Sequence, residues 1–424
     1  MRNSGLYFDL RRLVWRLAGE NPGGGNPENP GGGDPGTGNP GTPGTPGSPI
    51  ATLNALDTQR YGPQGIYWAP KTPVMTTSFT KTIVVDASWS AIASAIKSIN
   101  DESTTSNARI LVNPGVLADG KGDGSGATGV LDGVGTTART KPILIAPKSG
   151  LGSVTVAGTT GVAITKSAGF AIMGIDFGQR GLMIRNCTDV IIGYTQAKTA
   201  NMTANNSLNL LRCGYVEVSV DEERHAYNGD RGAARLSDPS TITDCFLIGC
   251  YFSPGYRATG STAHNDSFQL SATGRTLDSG FRFIDCVVFN SSNQGVIFTE
   301  TPHVQGVVMD KLLIISGYDK MGPRHPADAG DDTPEGTNAL WGGGQTMTIK
   351  NSIVIGSTAA ANQFDLVQNT RVSLATSSPV KSGSFTVDAS LRTVSQTQIN
   401  AWSERPNAAW RARVWGPVFP KISV

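Results

Sequence analysis

Charge is scarce in this chain: of 424 residues only 16% are Asp, Glu, Lys or Arg, and the formal net charge is +2. A nucleic-acid binder would carry a basic stripe, and none is present, so that class is excluded. No stretch approaches the roughly 20 consecutive apolar residues that cross a bilayer, so no membrane span is expected. The N-terminus also lacks the apolar core, about 7–15 residues long, of a standard secretion signal, and export by that route is not expected. Cysteine is sparse as well. Cys187, Cys213, Cys245, Cys250 and Cys286 form no CxxC pair and no metal-ligand spacing, and an odd count argues against a disulfide framework. Reduced, buried thiols packing as small hydrophobes are expected instead. Apolar residues reach only 38%, low for a compact α/β enzyme but ordinary for a fold rich in turns and polar surface.

Glycine and proline are abundant and concentrated. Between residues 21 and 49, 19 of 29 positions are Gly or Pro, a composition that cannot bury a core and reads as a tether. The preceding stretch sets Leu6, Leu10, Leu13, Val14 and Leu17 on one helical face, with Arg11, Arg12 and Arg16 largely away from it. A helix this short is not stable alone, so residues 1–18 read as an anchor that docks on a partner or self-associates, with a basic membrane-surface helix as the alternative. The remaining divisions are a linker over 19–49, an irregular region and cap over 50–139, a repeat over 140–394 and a tail over 395–424. Within the cap, Trp89, Ile92, Ala93, Ile96 and Ile99 share a helical face, and Asp86 or Ser88 stands where an N-cap belongs.

Past residue 140 the text repeats itself. Five-residue strands with alternating apolar positions recur as TGVAI, RGLMI, NSLNL, DSFQL, QGVIF, NALW and NQFDL. Between them come paired short strands joined by polar turns at Asn186-Cys187, Arg212-Cys213, Asp244-Cys245, Asp285-Cys286, Asp310-Lys311 and Asn351-Ser352. Successive turns lie 26, 32, 41, 25 and 41 residues apart, a short base period lengthened by insertions, which is the signature of a solenoid. Alternation inside each strand makes the coil a β-coil, and stacking equivalent strands makes the sheets parallel. The fold class expected is therefore all-β, with the Trp89–Ile99 helix over the first coil and the tail, bearing Trp402, Trp410, Trp415 and Phe419, over the last. The recurring cysteines should stack at one corner.

Taken with the capping segment SWSAIASAIKSIN, the following ARILVNPG and KPILIAPKSG, and the rungs above, residues 82–370 resemble the right-handed, single-stranded parallel β-helices of the pectate-lyase-like superfamily. That group includes pectate lyases, polygalacturonases and bacteriophage tailspikes. With an end peptide and a Gly/Pro tether the chain looks most like a tailspike or tail-fibre protein. The resemblance implies a homotrimer held to a virion tail or baseplate protein through residues 1–49, meeting host surface polysaccharide at the cell surface. It leaves open whether the sugar is cleaved. A free bacterial polysaccharide lyase or glycoside hydrolase is the alternative, and a purely structural fibre a third.

Insertions in a solenoid often build the binding face, and three long ones occupy 219–241, 252–265 and 317–345. They hold His225, His264 and His325, with Tyr227, Tyr256, Tyr318 and Trp341; such rings beside Arg235 and nearby carboxylates suit sugar stacking and hydroxyl recognition. If the apolar positions of the five-residue strands point inward, their neighbours form an outward column of Asn206, Asn209, Asp266, Gln269, Gln294, Asn338, Gln363 and Asp365. Such ladders also stabilise parallel sheets without further function. HNDSFQL resembles the N-T-D-G-[IF]-D strand of polygalacturonase-like glycosidases, which implies a catalytic carboxylate at Asp266. The family's second signature, an Asp pair one coil later, falls on Asn293-Gln294, so a partner must come from Asp221, Glu222, Glu223 or Glu300. For a lyase, Arg224, Arg231, Arg235 or Lys320 are candidate bases, with a cation neutralising a uronate carboxylate. No cofactor is expected, although Asp328, Asp331 and Asp332 could hold Ca²⁺ with spacing unlike an EF-hand loop.

Overall fold

A computed structural model describes residues 79–118, 129–158, 160–178, 180–220, 230–237, 239–255, 266–273, 277–278, 280–290, 294–299, 304–316, 338–393 and 408–422. Alternation sets the coil. In Phe268–Thr273, Phe268, Leu270 and Ala272 are fully buried while Gln269 and Ser271 are partly exposed. Each strand pairs in parallel with its equivalents one coil away, so the chain winds as a right-handed, single-stranded parallel β-helix. Among the described residues nine strands form one face, running from Leu131–Asp132 through Val162–Thr165, Gly181–Arg185, Thr199–Ala204, Gly232–Ser237, Phe268–Thr273, Val296–Thr299 and Asn338–Gly342 to Ser357–Thr358. An 18-stranded sheet makes up most of the remaining wall. A continuous core fills the interior from Trp89 to Val372.

The ladder starts well before residue 140. Lys81–Val85 pairs with Ala108–Val112, which pairs with Ile143–Pro147. The helix Trp89–Glu102 turns Trp89, Ile92, Ile96 and Ile99 into the same core as Ile110, as its periodicity predicts, with Ala95 buried in place of Ala93, which packs half-buried against that core. Ser88 is the N-cap residue, but its hydroxyl meets that of Ser90 at 2.8 Å and makes no capping bond to the helix. Residues 1–78, which carry the anchor and the tether, lie outside the described residues.

The corners correct one expectation. All five thiols are free and buried, yet they do not share a column. The strand register aligns Cys213 with Cys245, and Cys250 with Cys286, at two different corners, while Cys187 stands at a third. The reason lies before each thiol, where a left-handed residue turns the chain: Asn186 at φ 54°, Arg212 at 50°, Asp244 at 52° and Asp285 at 54°. Asn186 continues the stack above it through Lys166, Arg212 and Asp244 continue Asp189, and Asp285 continues Tyr194, Glu217 and Gly249. The Asp310-Lys311 turn is displaced by one residue as well, because Lys311 (φ 55°) is left-handed and Leu312 takes the inward thiol position.

The tail also departs from expectation. Of residues 395–424, the described stretch 408–422 does not cover the last coil; it runs along the flank of the early ones. Trp415 and Phe419 join Leu144, Ile191, Val216 and Phe246 in a second core outside the coil. Their rings meet Tyr194 edge-on at 6.1 and 5.3 Å, and the N–H of Ile422 donates to the Lys148 carbonyl at 2.9 Å. Gly174, at φ +74°, lies directly beneath the Phe419 ring, where a Cβ would approach ring carbons to 2.8 Å.

Candidate functional site

The nine-strand face carries the candidate chemistry. Its inward positions are apolar, so the alternate positions form outward columns in fixed register. One column runs Met183, Asn201, Ala233, Gln269, Ile297, Trp341; the next runs Thr165, Arg185, Thr203, Arg235, Ser271, Thr299. A third lies at the strand entrance, two places before the paired inward residues Leu182, Ala200, Gly232, Phe268 and Val296. It reads Arg180, Lys198, Asp230, Asp266, Gln294.

Asp230 and Asp266 thus occupy the same place in adjacent coils, their α-carbons separated by the rung spacing of about 4.8 Å. The Asp230 carboxylate reaches across the rung: Oδ1 accepts from the Asp266 N–H at 3.3 Å, and Oδ2 lies 3.3 Å from Arg235 Nη2. The Arg231 N–H donates to the Asp266 carbonyl at 3.2 Å, which ties the two entrances together. Burial pushes the Asp230 carboxyl above its ordinary value, outweighing the opposing pull of Arg235 and of the Asp266 amide. Asp266 is only 3% exposed. Arg235, by contrast, projects into solvent with its side chain 58% exposed, and Nη2 also lies 3.4 Å from Gln269 Oε1. Asp230, Arg235 and Gln269 are therefore one hydrogen-bonded group beside Asp266. Such a group offers two carboxylates, a guanidinium and an amide to a polyhydroxylated ligand, the donor and acceptor mix that sugars require.

Of the residues singled out from the sequence, the fold brings Asp266, Gln269, Arg235, Gln294 and Trp341 onto this face. Gln294 follows Asp266 in the entrance column, its carbonyl accepting from the Ser267 N–H at 3.3 Å. Trp341 stands two coils beyond Gln269, half-buried. Asn206 and Asn209 are a correction. They lie exposed in the turn and lead-in between Thr199–Ala204 and Leu210–Leu211, and the strand they introduce belongs to the 18-stranded sheet. Gln363 and Asp365 leave the column for the same reason, since Phe364–Val372 pairs with Met347–Lys350 in that sheet. Arg231 is buried to 1% exposure. Glu223, Glu300, His264, Tyr227 and Tyr256 lie outside the described residues, as do Asp221, Glu222, Arg224, Lys320 and the Asp328–Asp332 cluster. Among the described residues no three His, Cys, Asp or Glu side chains gather as a metal site would need.

Asp230 and Arg185 escaped the sequence reading. The signal for Asp230 was present: DRGAARL, read against DSFQLSA, puts an Asp two places before the first inward residue in both. Small residues at Gly232, Ala233 and Ala234 hid that strand, because apolar alternation needs bulk to be visible.

No family model and no curated protein matches this chain. Among solved structures it is similar to pectate lyase Pel9A, at 14% identity and TM-score 0.36, covering 70% of this chain and 69% of that one. It is similar to ORF18 of Geobacillus virus E2 at 10% identity and TM-score 0.36, covering 68% of this chain and 62% of the viral one. The Azotobacter vinelandii mannuronan C-5 epimerase AlgE6 A-module follows at 10% identity and TM-score 0.28, covering 70% and 92%.

Proposed function

We propose that this chain is a receptor-binding spike of a phage tail, which adsorbs to a host surface polysaccharide along the nine-strand face and hydrolyses it there. The observation that carries the catalytic part is the stacking of Asp230 on Asp266 in adjacent coils. Glycoside hydrolysis with retention uses two carboxyl groups roughly 5–5.5 Å apart, and side chains at equivalent positions of adjacent coils, with α-carbons about 4.8 Å apart, can reach that separation. The two roles divide by environment. Asp230, whose burial raises its pKa, takes the role of acid toward the leaving oxygen, and Asp266 is the second carboxylate, attacking the anomeric carbon. Water then releases the glycosyl intermediate, with Asp230 acting as base. Arg235 and Gln269 orient hydroxyls, and Trp341 supports a sugar ring further along the face. The spike reading rests on the sequence of residues 1–49, an apolar end peptide on a Gly/Pro tether.

Two measurements test it. Incubation with purified host capsule or O-antigen should give shortened chains by mass spectrometry. Both Asp266→Asn and Asp230→Asn should lose reducing-end release by about 10²-fold or more while circular dichroism stays unchanged. Unchanged turnover in either variant removes that residue from the catalytic pair, and an unsaturated, ultraviolet-absorbing product would replace hydrolysis with elimination. Removal of residues 1–49 should abolish incorporation into virions and leave sugar binding intact; a free enzyme loses nothing.

A further inference from the structure

Arg185 is the most anomalous charge on the nine-strand face. It is 7% exposed, at the end of Gly181–Arg185, one place from the left-handed corner at Asn186. Its Nε and Nη2 are shut off from water, and among the described residues nothing accepts a hydrogen bond from either. A guanidinium stays charged at any ordinary pH, so burying it without a partner is costly, and a fold retains such a group where something else supplies the counter-charge. The nearest carboxylate in its own column, Asp132, lies two coils away and accepts instead from the Thr165 hydroxyl.

The surroundings point to an anion. Arg235 follows Arg185 in the same outward column two coils on, about 9.6 Å along the axis at the rung spacing, and Arg180 and Lys198 stand in the entrance column at the other end of the strands. Lys166, exposed, occupies the corner one coil before Asn186. Past Asp132, the coils of Gly181–Arg185 and Thr199–Ala204 therefore carry basic residues on this face, and the acids Asp230 and Asp266 follow in the next two coils. A ligand lying along the axis would set negative groups on the first stretch and a neutral bond over the second.

We infer that Arg185 is the anion-recognition point of this face, its guanidinium taking as counter-charge an oxyanion substituent of the glycan: a carboxylate, a phosphate or a sulfate. This rests on the polysaccharide reading above and sharpens it to an acidic polymer. The fork of a guanidinium suits a two-oxygen acceptor, whereas a neutral hydroxyl would leave the charge uncompensated.

The test is a thermal-shift titration of the full chain with sodium glucuronate, phosphate and sulfate against sodium chloride at equal ionic strength, repeated with Arg185→Met and Arg185→Lys. Wild type should show a saturable rise of a few degrees with at least one oxyanion, on the order expected when ligand far exceeds its dissociation constant. Sulfate and phosphate also stabilise proteins by exclusion, so the Met variant supplies the baseline. It should melt at or above wild type without ligand and lose the saturable component; the Lys variant should bind at least about tenfold more weakly. An equal response in all three proteins overturns the inference, as does a Met variant that melts lower without ligand, which would make Arg185 a structural residue. Retention of envelope polysaccharide by wild type is measured alongside. Retention without an oxyanion response defeats this inference alone. An oxyanion response without retention defeats the polysaccharide reading and leaves the anion site standing.

Discussion

At Asp230 the chain keeps a carboxyl where its charge is disfavoured. Its folded pKa is raised, so between the ordinary value of 3.8 and the folded value the native state holds a proton that the unfolded state has lost. Stability therefore falls as pH rises through that window. Asp230→Asn should melt higher than wild type at neutral pH, with the gain vanishing below about pH 3.8, in thermal scans across pH. A mutant no more stable at pH 7 would mean that Arg235 and the Asp266 amide offset the burial. The thiols obey the same physics without chemistry. Burial pushes Cys187 and Cys245 up to about 12 and raises Cys213 and Cys286 well above the ordinary range, so they stay protonated and inert. Iodoacetamide at pH 8 should leave these four unlabelled in the native protein and label them in denaturant. Cys245→Asp sets a carboxylate in the same interior and should cost several kcal/mol in denaturant melts.

Among elements, the corners and the flank segment teach different lessons. Asn and Asp at the turns were readable because their side chains tolerate left-handed backbone. Tyr194 and Glu217, at φ 53° and 52°, carried no such mark. They are buried, and the tail is what covers them: the Trp415 indole N–H donates to Glu217 Oε2 at 3.0 Å and the Phe419 ring packs on Tyr194. Trp415→Ala should lower stability by about 3–5 kcal/mol, through lost packing and the lost bond to Glu217, with the β-sheet circular dichroism retained. Trp415→Phe should recover most of the packing share but not the hydrogen bond. Equal stability in all three proteins would show that the segment is not held on the flank.

For the described body as a whole, each coil contacts mainly the next, and long-range order accumulates by stacking. Substitution in a middle coil should therefore act on both neighbours. Phe268, whose ring meets Phe252, Phe281 and Phe283 at 5.6, 5.9 and 5.4 Å, is such a position. Phe268→Ala should cost about 3–5 kcal/mol and loosen the rung that holds Asp266. Hydrogen exchange should show faster exchange in Gly232–Ser237 and Val296–Thr299, with little change at Lys81–Val85. Uniform acceleration along the ladder would instead mean one cooperative unit.

The sequence determined what depends on local periodicity. Alternating bulk in DSFQL, QGVIF and RGLMI specified inward and outward faces, the polar turns specified corners, and the apolar stripe specified the Trp89–Glu102 helix. It also set Asp266 and Gln269 on one outward face, but left Arg235 in an insert that the structure shows to hold the strand Gly232–Ser237. Only the tertiary structure decided register, because insertions of different length shift each coil against the last and nothing local records the shift. That is why Asn206 and Asn209 proved to lie in a turn, the thiols divided among three corners, and Asp230 came to rest on Asp266. The flank position of Trp415 was likewise invisible, since an aromatic residue carries no address for the surface it will cover.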